Sequence, residues 1–339
     1  MTKIAILGAG SWGTALSVVL SGARKSHDIA LWARNAELAE TLARDRHNDA
    51  YLPGILLPAG IRVMHEMPKA LEGAQIVVGV MPSVHARAVY TQALPCCTPE
   101  MVFVSATKGL EPSTHSRVSN MIAQIFAQNG IEPAASQRIA VLSGPSFAAE
   151  AAQGQPTAVV LAAENAQLAS NLQEEFSGPS FRLYTNDDVL GVELAGAMKN
   201  VMAIAAGACQ GLGLGSNPLA ALITRGLAEM TRLAVALGAR RETLSGLAGL
   251  GDLVLTCTGA LSRNRHVGIE LGKGRRLPEI LASMRMVAEG VGTAAPLLAL
   301  AREHDIDMPI TEQVDAILHQ SKAPKDAIRD IMERPLKRE

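Results

Sequence analysis

Apolar and polar positions divide the chain into two regimes. Up to about residue 188, short apolar runs recur, each closed by small or polar residues. Residues 3–7, 28–33, 76–80, 101–105, 139–142, 157–162 and 180–185 read as strands on this pattern. Asn186-Asp187-Asp188 then reads as a turn and helix cap. From Val189 onward the period is helical almost to the C-terminus, apart from glycine-rich loops, and the last three residues read as a frayed tail. A length of 339 residues suits two domains, and the boundary falls at 188/189.

The helix at 189–211 carries Leu190, Leu194, Met198, Val201, Ala205 and Ala208 at helical spacing, with Lys199 and Asn200 in its middle. It reads as buried nearly all round. An unpaired buried ammonium costs several kcal/mol or shifts its pKa. Lys199 therefore faces a cleft, a partner or a substrate, or else it snorkels to the surface. The helix alone leaves both readings open.

Candidate chemistry begins at the N-terminus. The first apolar run leads into Gly8-Ala9-Gly10-Ser11-Trp12-Gly13, and residues 14–20 read as a helix. Strand, G-x-G-x-x-G and helix together mark a dinucleotide-binding turn. Gly8 permits the tight turn, Gly10 leaves room for a pyrophosphate, and Gly13 lets the helix pack on the strand. The alternative is a turn that serves packing alone. The fold class expected is α/β, with an N-terminal Rossmann-type dinucleotide-binding domain (1–188) followed by an all-α domain (189–339). The second strand ends in Trp32-Ala33-Arg34-Asn35, without the acid that would hold a ribose 2′-hydroxyl. Arg34 sits where it would meet a 2′-phosphate, which favours NADPH and leaves NADH possible; otherwise it is a solvated loop residue.

Three later strands end in Met81-Pro82-Ser83, Ala106-Thr107-Lys108-Gly109 and Ser143-Gly144-Pro145-Ser146-Phe147-Ala148. In an open parallel sheet these loops share the ligand edge. Lys108 is the one charge among them, a candidate for substrate or cofactor contact. Ser146 reads as a contact, as an N-cap, or as both. In the helical half, Asp252 lies within the glycine-rich stretch 246–251 and the apolar run after it. It reads as a partner for the lysine or as a turn or cap residue. Ser262-Arg263-Asn264-Arg265-His266 puts basic residues at a helix start, which is unfavourable without an anion. A phosphate held by the helix N-terminus and a forked guanidinium fits that pattern; the alternative is a capped helix with a solvated basic first turn.

Composition narrows the partners. A net charge of -1 argues against broad binding to nucleic acid or anionic membrane. The apolar window 194–209 is interrupted by Lys199 and Asn200 and reads as too short to span a bilayer, so no membrane insertion is expected. The N-terminus shows no signal-peptide pattern. Cys96, Cys97, Cys209 and Cys257 lack metal-ligand spacing, and the eight histidines form no ligand cluster, so no metal is expected. Free thiols point to a reducing cytoplasm.

The segments 8–15, 106–109, 142–148, 193–200, 249–253 and 262–264 together resemble the bacterial NAD(P)-dependent sn-glycerol-3-phosphate dehydrogenase family, in order over nearly the whole chain. The resemblance implies a proton-accepting role for Lys199 in glycerol-3-phosphate oxidation. It implies substrate contacts at Lys108, Gly144, Ser146, Lys199, Asp252, Ser262, Arg263 and Asn264. It implies NADPH contacts at Ser11, Trp12, Arg34, Lys108, Ala148, Arg263, Val287 and Glu289, of which Arg34 is a position the family varies. Hydride transfer between nicotinamide C4 and C2 of dihydroxyacetone phosphate is the reaction implied, with Asn200, Asp252 and Thr256 holding the ammonium and the carbonyl. A homodimer and glycerol-3-phosphate supply for phospholipid synthesis are further implications. Two rivals remain: a relative of the β-hydroxyacid and 6-phosphogluconate dehydrogenases, and a nucleotide-sensing protein that has lost its chemistry. The Ser262-Arg263-Asn264 triplet favours a small phosphorylated triose over the first. Intact Lys199, Asn200, Asp252 and Arg263 argue against the second.

Overall fold

The computed structural model describes residues 1–129, 137–336 and 338, so the tail expected at 337–339 lies largely outside the described residues. The chain forms two compact units, Met1–Glu193 and Leu194–Glu339.

In the first unit the strands are β1 (Thr2–Leu7), β2 (His27–Trp32), β3 (His47–Asn48), β4 (Leu52–Leu56), β5 (Arg62–Met64), β6 (Ile76–Gly79), β7 (Val102–Ser105), β8 (Ile139–Ser143), β9 (Thr157–Ala162) and β10 (Phe181–Asn186). The helices among them are α1 (Ser11–Ser21), α2 (Ala36–Asp45), α3 (Met67–Leu71), α4 (Ser83–Ala93), α5 (Val118–Gln128), α6 (Ala148–Ala152) and α7 (Ala166–Phe176). Eight of the described strands make one sheet in the order β10-β9-β8-β7-β6-β1-β2-β5. From β5 to β8 every neighbouring pair is parallel, whereas β9 runs antiparallel to β8 and β10 parallel to β9. The six parallel strands thus follow the doubly wound order in which a dinucleotide sits where the order reverses, beside β1. Successive residues of β1 face opposite sides: Ile4 and Ile6 pack with Leu16, Leu20 and Phe176, and Ala5 and Leu7 pack with Tyr90, Met121 and Phe126. Both faces are covered, which is why the strands read as continuous apolar runs.

Helix α8 (Val189–Gly211) starts as expected: the Asp188 carboxylate accepts from Gly191 N at 2.8 Å. Its first turn is also tied to the first unit. The buried Glu193 carboxylate accepts from the Arg117 guanidinium at 2.7 Å and from Ser119 N at 2.9 Å. Such charge-assisted bonds keep residues 189–193 with the sheet domain. One expectation needs correcting. At 23 residues α8 is long and apolar enough, by length and composition, to cross a membrane. What identifies it as a core helix is that 94% of its apolar window is buried within the protein.

The second unit continues with α9 (Ser216–Ala236), α10 (Arg241–Ser245), α11 (Asp252–Thr258), α12 (Arg263–Gly272), α13 (Leu277–Ala282), α14 (Glu289–Glu303), α15 (Pro309–His319) and α16 (Pro324–Met332). The glycine-rich stretch before Asp252, expected as a loop, is a π turn over Leu247–Gly251 that runs straight into α11. Helices α8 and α12 meet through two glycine pairs of matching spacing. A Cβ on Gly207 would lie 2.0 Å from Arg265 O, and one on Gly211 would lie 2.2 Å from Ile269 O. In return, a Cβ on Gly268 would lie 2.0 Å from Ile204 O, and one on Gly272 would lie 2.6 Å from Ala208 O. Backbone packs on backbone here, and the register of the two helices is set by four missing side chains.

Away from the candidate chemistry, Glu229 of α9 is buried and accepts from Ile310 N at 2.7 Å and from Thr311 N at 3.3 Å, capping α15. Burial pushes its carboxyl up to about 7, against the pull of those N–H groups and of Arg232.

Two outcomes are expected. Gly268→Ala should lower stability by about 1–3 kcal/mol, the scale of overpacking, although alanine is the better helix former. Gly292→Ala on α14, where nothing lies within 4 Å of the added Cβ, should be neutral or stabilising by up to about 1 kcal/mol. Urea midpoints that fail to separate the two variants would refute the backbone contact. For Glu229, the native state holds its proton from the ordinary carboxyl value of 4.5 up to about 7. Stability should therefore fall as pH rises through that window, by on the order of 3 kcal/mol, and be flat in this group outside it. Glu229→Gln should remove that slope, and an unchanged slope in the variant would show that another group carries it.

Candidate functional site

The glycine turn after β1 is built by close approach. Gly8 sits at φ +122°, and a Cβ there would lie 2.6 Å from Val80 O. A Cβ on Gly13 would lie 1.8 Å from Gly8 O, so α1 rests directly on the turn. Gly10 is the N-cap of α1, has no side chain to cap it, and has nothing within 4 Å of a Cβ position. Open space over a helix N-terminus suits the diphosphate of a dinucleotide, so these residues fit that class of cofactor.

Support for the turn comes from a hairpin that carried no motif. Asn48 of β3 is buried and donates from Nδ2 to Ala9 O at 2.9 Å and to Thr14 Oγ1 at 2.7 Å. The Ser11 hydroxyl donates to Tyr51 O at 2.6 Å. An asparagine beside a turn reads as turn chemistry, and only tertiary contact reveals this second use. Trp12 packs its ring 6.5 Å from that of Phe181, and its buried indole N–H has no protein partner. Arg34 lies two residues beyond β2 and is exposed.

The loops after β6, β7 and β8 emerge at one sheet edge, as expected for parallel neighbours. The Thr107 hydroxyl donates to Met81 O at 2.8 Å, linking two of them. Lys108 Nζ donates to Gly144 O at 2.7 Å and to Ser146 Oγ at 3.3 Å, linking the third. Ser146 in turn donates to Gly144 O at 2.9 Å. It is not the N-cap of α6, a place taken by Phe147, because its hydroxyl faces back into the loop. Ala148 begins that helix.

In the second unit Lys199 is buried and does not snorkel. Its Nζ lies 3.1 Å from Asp252 Oδ1 and donates to Thr256 Oγ1 at 2.8 Å. Thr256 donates to the Asp252 carbonyl at 2.6 Å, so its hydroxyl oxygen is left to accept from the lysine. Asp252 and Thr256 stand one turn apart on α11, which aims both at α8. A carboxylate and a hydroxyl at this range offset part of the cost of burying an ammonium. Next along α8, Asn200 Oδ1 accepts from Asn264 Nδ2 at 2.9 Å.

Ser262 caps α12, its hydroxyl accepting from Arg265 N at 3.2 Å. The Arg263 side chain keeps open area to solvent while protein atoms crowd it on most sides. That crowding draws the guanidinium below its ordinary value, and Glu289 opposes the shift. Glu289 opens α14, and the exposed Val287 precedes it. The residues expected from the sequence thus form two clusters: the glycine turn with its neighbouring loops, and the lysine pocket with the starts of α12 and α14.

Both halves of the chain match a known family. Residues 3–169 match the N-terminal domain of NAD-dependent glycerol-3-phosphate dehydrogenase, and residues 188–329 match its C-terminal domain. The chain belongs to this family. A glycerol-3-phosphate dehydrogenase [NAD(P)+] of Koribacter versatilis is 54% identical over 336 residues, covering 99% of this chain and 98% of that protein. The crystal structure of glycerol-3-phosphate dehydrogenase from Coxiella burnetii is 41% identical, with a TM-score of 0.91 over 98% of this chain and 99% of that one. A D-mandelate dehydrogenase structure at 11% identity, with a TM-score of 0.63 over 96% of this chain and 100% of that one, shares the fold alone. The family is an oxidoreductase family that uses NAD(P), which sets aside the β-hydroxyacid rival.

The glycine geometry separates two defects. Gly10→Ala should keep the unfolding midpoint and weaken dinucleotide binding, because its Cβ enters open space at the helix start. Gly13→Ala should lower both. NADPH fluorescence titration beside thermal unfolding reads the difference. Native affinity in Gly10→Ala would place the diphosphate elsewhere.

Proposed function

We infer that this protein catalyses the NAD(P)H-dependent, reversible reduction of dihydroxyacetone phosphate to sn-glycerol 3-phosphate. The observation that carries the inference is the buried Lys199 ammonium held by Asp252 and Thr256. When bound, the nicotinamide dinucleotide supplies the hydride in reduction and accepts it in oxidation. Lys199 gives a proton to the substrate oxygen at C2 as negative charge develops there, and takes it back in the reverse direction. Asp252 and Thr256 hold the ammonium in place for that transfer. Asn200 helps to hold the substrate carbonyl in place. Arg263 and the N-terminus of α12, with Ser262 and Asn264, hold the phosphate, and this remote binding positions the reacting carbon. Lys108, Gly144 and Ser146 contact substrate. Gly8, Gly10, Ser11, Trp12, Gly13, Arg34, Lys108, Ala148, Arg263, Val287 and Glu289 hold the dinucleotide.

NADPH is the favoured cofactor, because Arg34 follows β2 where an acid would select NADH. The four cysteines are free thiols, which supports a reducing, cytoplasmic setting. A homodimer and a role in supplying glycerol 3-phosphate for phospholipid synthesis complete the reading, both drawn from the family.

The deciding experiment follows nicotinamide absorbance with dihydroxyacetone phosphate and NADPH or NADH at subsaturating levels. Native protein should turn over faster with NADPH; equal rates would reject Arg34 as the selector. Lys199→Ala should lower kcat by at least about 10²-fold, the scale of a general acid, with NADPH affinity nearly unchanged. Near-native turnover in that variant would remove the lysine from the reaction. Absence of turnover in native protein that binds the cofactor would sink the substrate.

A further inference from the structure

We infer that Asn264 is a positioning residue that sets which end of the Asn200 amide serves the reaction, and that it takes its own orientation from the backbone N–H of Gly290. The inference rests on the placement of Lys199 and Asn200 at the reacting centre. An asparagine amide has two ends of nearly equal size, one a donor and the other an acceptor, and shape alone does not choose between them. Here two backbone groups choose. Gly290 N–H can only donate, and it meets Asn264 at 2.9 Å, so Oδ1 of Asn264 must face it. Nδ2 of Asn264 then points to Asn200, also at 2.9 Å, and the end of Asn200 that receives it must be Oδ1. Nδ2 of Asn200 is left on the other side, where it donates to the Gly196 carbonyl at 3.3 Å. That carbonyl can only accept. The chain has a fixed donor at one end and a fixed acceptor at the other, so it runs in one direction.

Both side chains are buried, at 7% exposure for Asn264 and 4% for Asn200. Reversing either amide would set donor against donor or acceptor against acceptor where water does not compensate. The polarity that results suits the chemistry. An oxygen that becomes negative during reduction needs an N–H beside it, and a reversed Asn200 would offer a lone pair instead.

Close packing holds the relay in register. A Cβ on Gly290 would lie 2.6 Å from Asn200 O and 2.8 Å from Asn200 C, so the start of α14 rests on the backbone of the Lys199-Asn200 turn. Asn264 is fixed from the other side by the glycine crossing of α8 and α12. The segment that carries Val287 and Glu289 is thereby tied to the amide of Asn200 through one side chain.

A double-mutant cycle tests this. Steady-state kcat and KM for dihydroxyacetone phosphate would be measured with NADPH for Asn264→Ala and Asn264→Asp, each in the native and the Asn200→Ala backgrounds. The aspartate keeps the shape and the acceptor for Gly290 but loses the donor to Asn200. Both changes should lower kcat by about tenfold or more in the native background and by less than about twofold once Asn200 is gone, because residues that act through one another are not additive. Any weakening of phosphate binding would appear in KM in both backgrounds alike. An equal loss of kcat in the two backgrounds, or no loss in either, would overturn the positioning role while leaving the reading of the site intact. Native kcat in Asn200→Ala alone would overturn that reading, and with it the relay.

Discussion

A lysine ammonium buried at 6% exposure is the constraint around which the helical unit is arranged. Removing that charge from water is costly, and a carboxylate and a hydroxyl at close range offset that cost. Asp252 and Thr256 supply them from successive turns of a short helix that follows directly on the π turn Leu247–Gly251. The apolar surround is part of the chemistry. In a site of low polarity, the proposed action of the Lys199 proton on a developing oxyanion would be stronger than in water.

That arrangement needs α8 and α12 to hold one relative position. Side chains that interdigitate would allow small adjustments, whereas backbone against backbone at Gly207, Gly211, Gly268 and Gly272 leaves little room to slide. The crossing sets Asn264 against Asn200 and brings the start of α12, with its cap Ser262 and its cation Arg263, to a defined place beside the lysine turn. The glycines that pack the two helices thus also hold the candidate site residues in register.

The dinucleotide half works by a related principle. Gly8 and Gly13 bring strand, turn and helix into contact, and Gly10 keeps space open above the helix start. Asn48 and Ser11 then fasten the turn to a small hairpin, so the loop that meets the cofactor is held from outside as well as from the sheet. Lys108 does similar work between the loops after β7 and β8, which leaves its ammonium anchored at the ligand edge.

By itself, the sequence determined seven of the eight strands of the sheet, the glycine turn, the long lysine helix and most of the candidate residues, but not the edge strand β5 or the antiparallel pairing of β9 with β8. Each of these rests on a local signal: an apolar period, a glycine spacing, or a charge where burial forbids an unpaired one. Local signals end where partners are distant in the chain. Nothing near Asn48 announces that it holds Ala9, and nothing near Glu193 announces Arg117 and Ser119. The burial of α8 was legible in apolar positions nearly all round it, whereas its length was underestimated from the window 194–209; a core helix and a membrane span share a composition and differ in what surrounds them. Asp252 was open between cap and ion-pair partner until the fold brought Lys199 within 3.1 Å. The direction of the Asn264 relay was decided only in three dimensions, where a backbone donor and a backbone acceptor from separate turns close on two amides that have no preferred sense of their own.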